Sequence, residues 1–191
     1  YGDHRDLHLS IRRQRQMCIR DRAYGHAIAD AALAAGTLTS PFSRTRMTWI
    51  KPSFLWMMYR CGWGEKPGQE RVLAIRMTRM GFEEALAMSC LSHFDPTLHS
   101  DGETWRAALR ASPVLVQWDP ERNLSGEALP FRSLQVGLSG NAVDRYVDEW
   151  IVGLEDITPT LAARRAGVEP IPDERTYPLP TPLAVQLKVT R

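Results

Sequence analysis

Arg71-Val72-Leu73-Ala74-Ile75-Arg76-Met77-Thr78 is the stretch on which the fold turns. Val72, Ala74 and Ile75 put apolar side chains on both faces of one strand, so the strand is expected to be covered on both sides. Just upstream, Met47-Thr48-Trp49-Ile50 reads as a short strand broken by Pro52. Ser53 then N-caps a helix from Phe54 to Cys61 that is apolar almost all round and therefore buried. Gly62, Gly64 and Pro67-Gly68 supply the loop between that helix and the strand.

Further upstream, Tyr24 to Gly36 is an alanine-rich helix whose Ile28, Ala31, Ala32 and Ala35 share a face, with Gly36 as its stop. Residues 37–46 are loop. Downstream, Gly81 to Leu91 reads as a helix with Phe82, Leu86 and Cys90 inward, and Glu103 to Ala111 as a second amphipathic helix. Pro113 to Trp118 is a strand that Asp119-Pro120 ends. In Phe131 to Leu138, Leu134, Val136 and Leu138 alternate with Ser133, Gln135 and Gly137, the mark of a strand. From Ser139-Gly140, the residues Val143, Tyr146, Val147, Trp150, Ile151 and Leu154 fall at helical spacing and predict one long helix. Beyond Gly167 the prolines at 170, 172, 178, 180 and 182 predict an extended, loosely packed tail. Strands and helices mix without regular alternation. The expected class is α+β: a single domain at 23–168 with a small mixed or antiparallel sheet of about four strands packed by helices, and a tail at 169–191.

The 191 residues carry 24 Lys+Arg against 22 Asp+Glu, for a net charge of +2. The charge is uneven. Residues 1–22 hold six arginines and three aspartates, a net of +3, which leaves −1 for the rest. A basic arm is one reading of that segment. The other is a non-native or disordered terminus, because Gln14 to Arg22 resembles a translated adapter sequence; residues 1–22 are accordingly set outside the expected fold. No apolar run is long enough to cross a bilayer, and no signal peptide opens the chain. Three cysteines without a C-x-x-C pair argue against a disulfide framework or a zinc site and favour a reducing, cytoplasmic compartment.

Arg46-Met47-Thr48-Trp49-Ile50-Lys51-Pro52-Ser53-Phe54-Leu55-Trp56-Met57-Met58-Tyr59-Arg60 resembles the signature of the bacterial and fungal family known as domain of unknown function 4291. Gln69 to Ile75, Val116 to Arg122, Arg132 to Leu138 and Trp150 to Thr158 extend the resemblance over about residues 23–178. The family usually opens with a short strand and a Tyr-Gln-Ala-Tyr-like motif, of which Ala23-Tyr24 remains, and tends to have Ser where this chain has Cys61. The resemblance implies no activity.

Two groups of residues carry candidate chemistry. Between 41 and 80 stand eight cations (Arg44, Arg46, Lys51, Arg60, Lys66, Arg71, Arg76 and Arg79) against Glu65 and Glu70, a net of +6, with Trp49, Trp56 and Trp63 interleaved. Arginine forks and a lysine suit phosphates, and an indole face suits a base or nicotinamide. Lys51 and Ser53 sit where a helix begins, and the backbone N–H groups there favour an anion. The bland alternative is core tryptophans and a solvated basic face. The second group is Gln117-Trp118-Asp119-Pro120-Glu121-Arg122, two acids and an arginine at a strand end, or else an Asp-Pro turn closed by an ion pair.

Together they make Lys51, Asp119 and Glu121 the candidate catalytic residues. Arg46, Trp49, Ser53, Trp56, Arg60, Gln117 and Arg122 are the candidate ligand contacts. The ligand expected is NAD or another nucleotide, with ADP-ribosyl transfer as the most specific chemistry. The competing expectation is a non-catalytic module whose basic and aromatic patch binds nucleic acid or a protein. No metal is expected, since His93 and His99 lack metal-site spacing. Asp148-Glu149-Trp150-Ile151-Val152 resembles the Asn-Glu-Tyr-Ile-Val around the catalytic glutamate of poly-ADP-ribosyl transferases, where that glutamate stands on a strand. The helical spacing here argues against it and outweighs the short match, which leaves Glu149 as a minor catalytic candidate.

Overall fold

The computed structural model describes residues 9–10, 12–13 and 17–189. In chain order the strands and helices are β1 (Leu9–Ser10), β2 (Arg12–Arg13), β3 (Met17–Tyr24), α1 (His26–Ala35), β4 (Thr48–Ile50), α2 (Phe54–Cys61), β5 (Arg71–Thr78), α3 (Arg79–Ala87), β6 (Ser89–Leu91), α4 (Gly102–Ala111), β7 (Val114–Arg122), β8 (Ala128–Leu138), α5 (Asn141–Arg145), β9 (Ile151–Asp156), α6 (Leu161–Arg165), β10 (Arg175–Thr176) and α7 (Thr181–Gln186). This is a single α+β domain whose strands divide between two sheets. One is mixed, in the order β1-β8-β7-β6 with β4 also on β8; the other is antiparallel, β3-β5-β9. A short β10–β2 pair stands apart. No helix among the described residues is long and apolar enough to cross a membrane.

β5 is the shared wall. Its Leu73, Ile75 and Met77 are buried in the main core with Phe82, Leu86, Val136 and Tyr146. Val72 and Ala74 point the other way, into a second cluster with Phe54, Met57, Met58 and Leu161. Both faces of the strand are covered, as its apolar run implies. At roughly 1.5–3 kcal/mol for each large side chain fully buried, this central strand is a major source of stability. α2 closes the second cluster: Ser53 Oγ accepts from Trp56 N at its start, and Gly62 in the left-handed region (φ 59°) ends it.

Several expectations need correction. Residues 17–22 are not outside the fold, since β3 pairs antiparallel with β5 from Met17↔Thr78 to Tyr24↔Arg71; the part of that expectation on 1–8, 11 and 14–16 lies outside the described residues. Ser89–Leu91, read as the end of a helix, is β6, parallel to β7. β7 does not stop at Asp119-Pro120 but continues to Arg122 through a register shift. Proline is tolerated there because β6 pairs only as far as Val116, which leaves that edge of β7 open. The long helix is three segments: α5, a π-helical turn at Tyr146–Trp150, and strand β9. Nor is the proline-rich tail loose. Tyr177 packs edge-on against Phe82 at 5.5 Å, and Leu187 is buried.

Candidate functional site

Three short pieces of chain meet at one cavity of about 540 Å³. β4 contributes Thr48 and Trp49, the link to α2 contributes Lys51, and α2 itself contributes Trp56, Met57 and Arg60. The last three share a face because positions three and four apart on a helix are neighbours. The loop before β4 adds Phe42, Ser43 and Arg46, the loop after α2 adds Gln69, and β8 adds Gln135. Trp49 is fixed by its strand partner. It stands opposite Gly137 in the β4–β8 register, and a Cβ on that glycine would lie 3.0 Å from the indole. The missing side chain lets the ring lie against the backbone of β8.

Lys51 is fully buried. Its Nζ donates to Asp119 Oδ2 at 3.2 Å and to the Ser133 carbonyl at 2.9 Å, and lies 4.6 Å from the centre of the Trp56 ring. Burial pushes its pKa down, while Asp119, Glu121 and Glu174 act the other way. Two of its three ammonium hydrogens are thereby engaged. Asp119 also accepts from the Gln117 side chain at 2.9 Å.

Behind this layer, Ser53 Oγ donates to Glu121 Oε1 at 2.6 Å, and the same oxygen accepts from Arg122 N at 2.9 Å. Glu121 is buried and its Oε2 has no hydrogen-bond partner among the described residues. The start of α2, expected to attract a ligand anion, is taken by the protein's own acid: Glu174 Oε1 accepts from Phe54 N at 2.6 Å. Arg122 lies over the Tyr59 ring at 4.1 Å.

The expected site thus separates. Arg46, Trp49, Lys51, Trp56 and Arg60 come together on the cavity wall. Ser53, Gln117, Asp119, Glu121 and Arg122 do not line it: Asp119 backs Lys51, while Ser53 and Glu121 hold the start of α2. Gln69 and Gln135, which the sequence did not single out, do line it. Gln135 is the register partner of Gln117 on the neighbouring strand, so the glutamine chosen from sequence was one strand away. Glu149 is exposed on the π-helical turn and pairs with Arg145 at 3.1 Å.

The +6 stretch is largely neutralised in space. Arg44 pairs with Asp148 and Asp144, Lys51 with Asp119, Arg71 with Asp156 and Asp30, Arg76 with Glu155, and Arg79 with Glu83. Lys66 caps the Arg60 carbonyl at 2.7 Å. Of these eight cations, only Arg46 and Arg60 have side chains with no hydrogen bond or ion pair to a described residue, and both open onto the cavity. Arg22, a further cation on the wall, donates to the Trp49 carbonyl at 2.5 Å. No carboxylate lines the cavity among the described residues. Nor do three His, Cys, Asp or Glu side chains gather anywhere among them to hold a metal; His99 is tied by Nδ1 to the backbone of Asp95.

The sequence profile of the family described as a domain of unknown function (DUF4291) matches residues 11–177. The chain belongs to that family. The match begins within the segment set aside above as foreign and takes in every residue of this DUF4291 cavity. No curated protein matches the chain.

Proposed function

We propose that this DUF4291 protein is an enzyme that binds a nucleotide, NAD among the candidates, in the cavity between β4, α2 and β8. The observation that carries this reading is the pairing pattern: the two arginines of the 41–80 stretch left without acidic partners among the described residues open onto one cavity that also presents Trp49 and Trp56. A cavity whose guanidinium groups are unpaired and which no carboxylate lines among the described residues suits phosphate, and indole faces suit a base or a nicotinamide. About 540 Å³ is within the range of small-molecule sites. In this reading Arg46 and Arg60 hold phosphate, and Lys51, backed by Asp119, contacts the ligand and moves a proton to or from it.

ADP-ribosyl transfer has less behind it. That chemistry calls for an acid beside the nicotinamide ribose, whereas Asp119 and Glu121 stand behind the wall and Glu149 is held outside by Arg145. A nucleic-acid surface has less still, because most of the expected basic patch is paired with acids. A reducing cytoplasm, where Cys61 and Cys90 stay free thiols, is the compartment that fits the nucleotide reading.

A thermal-shift series with NAD, ATP, ADP-ribose and a short RNA tests it. A nucleotide at about 100 times its dissociation constant adds about 2.7 kcal/mol of stability. A rise in melting temperature with at least one nucleotide is expected. A rise with RNA alone would move the protein to the binding class, and no rise at all would remove the proposal.

A further inference from the structure

Phosphate alone does not account for the cavity, and two amides on its wall indicate what else it holds. Gln69 and Gln135 both line it and both are half-buried. Neither side-chain amide makes a hydrogen bond to a described residue, whereas Gln117, in register with Gln135, has its amide engaged by Asp119. Both glutamines stand on fixed backbone. Gln69 N donates to the Lys66 carbonyl at 2.9 Å, and Gln135 sits in mid-strand on β8. On that strand Gln135 and Gly137 share one face, and Leu134, Val136 and Leu138 fill the other. The amide of Gln135 is therefore presented on the same side of the sheet as the indole of Trp49, which lies against Gly137.

A carboxamide offers an acceptor and two donors in one plane, the complement of a base edge that places an acceptor beside an amino group, as adenine does. An aromatic face next to it accepts the base by stacking. A sugar phosphate without a base would use Arg46 and Arg60 but leave the indole and both amides facing water. We infer that the cavity reads a nucleobase: its ligand is an adenine nucleotide, with phosphate on Arg46 and Arg60, the ring against Trp49 or Trp56, and the base edge on Gln69 and Gln135. This rests on the nucleotide reading above and adds the groups that select the base.

Titration calorimetry with AMP and with ribose 5-phosphate, on the full chain and on Gln69→Leu and Gln135→Leu, tests it. Leucine keeps the bulk and removes the amide. The native chain should bind AMP at least tenfold more tightly than ribose 5-phosphate. Each variant should lose about tenfold for AMP and keep the affinity for ribose 5-phosphate, which also shows that its cavity is folded. If both variants bind AMP as the native chain does, the glutamines do not read the base, although the nucleotide reading stands. Equal affinities of the native chain for AMP and ribose 5-phosphate would overturn base recognition altogether. If the native chain binds no AMP while ribose 5-phosphate still binds, the site takes a phosphorylated ligand but not an adenine nucleotide. If neither binds, the nucleotide reading falls and this inference with it.

Discussion

The ammonium of Lys51 lies 3.2 Å from Asp119 Oδ2, joining residues 68 apart in the chain at the back of the cavity. Burial lowers the lysine's affinity for its proton, and Asp119 is the main group opposing that effect. Breaking a buried pair from one side leaves an uncompensated charge, so Asp119→Asn is expected to cost roughly 3 kcal/mol at pH 7. The pH dependence has a definite sign. A lysine whose folded pKa is depressed loses its penalty as pH rises through the range up to 10.5, the value at which it gives up its proton in the unfolded chain as well. The gap between Asp119→Asn and the native chain should therefore narrow between pH 7 and pH 10.5 in denaturant unfolding. Tyr24, whose burial raises its pKa, affects both proteins alike. A gap that widens with pH would mean that the pair does not hold the charged lysine.

The contact between Trp49 and Gly137 makes a separate prediction. A Cβ at 137 would meet the indole and Met47 Sδ at 3.0 Å, so Gly137→Ala must push the ring off β8. A loss of about 1–2 kcal/mol in stability is expected, together with weaker nucleotide binding. Gly153→Ala is the control. It would meet nothing closer than 3.8 Å and should be neutral or slightly stabilising. Unchanged nucleotide affinity in Gly137→Ala, measured by calorimetry, would exclude Trp49 as a contact.

Gly81 presents the most severe close approach in the core. An added Cβ would fall 2.3 Å from the buried Trp150 ring, whose Nε1 donates to Glu84 at 3.2 Å. Neither ring nor helix can yield that far, so Gly81→Ala should cost about 3 kcal/mol or more. Thermal unfolding reads this directly, and a midpoint within a degree of the native one would contradict the packing described here.

Acid should loosen the C-terminal segment first. Burial raises the pKa of Asp95, but Lys188 at 2.6 Å and two bonds from Thr97 outweigh it and hold the carboxylate at about 2. A carboxylate with a depressed folded pKa stabilises above its unfolded value of 3.8 and loses that contribution as pH falls from about 4 to 2. Amide protection in 181–189, taken relative to the intrinsic exchange rate at each pH, is expected to fall over that interval, and Lys188→Ala should show the same loss already at neutral pH. Protection that stays constant from pH 4 to pH 2 in the native chain would refute the contact.

Local signals explain which parts of the fold were legible from sequence. α2 and β5 fall where the Ser53 cap, the Gly62 stop and the unbroken apolar run place them. In Ile151–Asp156, Ile151 and Leu154 continue the helical spacing of Val143 to Trp150, whereas the partner that makes the segment a strand, β5, lies far away in sequence. β6 is three residues long and exists through its parallel pairing with β7. The tail is held by Tyr177, a single aromatic whose socket against Phe82 no periodicity reveals. At the site, the clustering of Arg46, Trp49, Lys51, Trp56 and Arg60 was legible because one strand and one helix carry them all. That Arg44, Arg71, Arg76 and Arg79 would be neutralised was not, since most of their acids lie 41 to 104 residues away. Gln135 was hidden for the same reason, because only the register separates it from Gln117.

The most direct measurement is the affinity of the native chain, Arg46→Ala and Arg60→Ala for ADP-ribose by titration calorimetry. A hydrogen bond to a charged group contributes about 1.5–3 kcal/mol, so each variant should bind at least tenfold more weakly while melting at the native temperature. Native affinity in both variants, or no binding by the native chain, would contradict the account of this cavity as a nucleotide site.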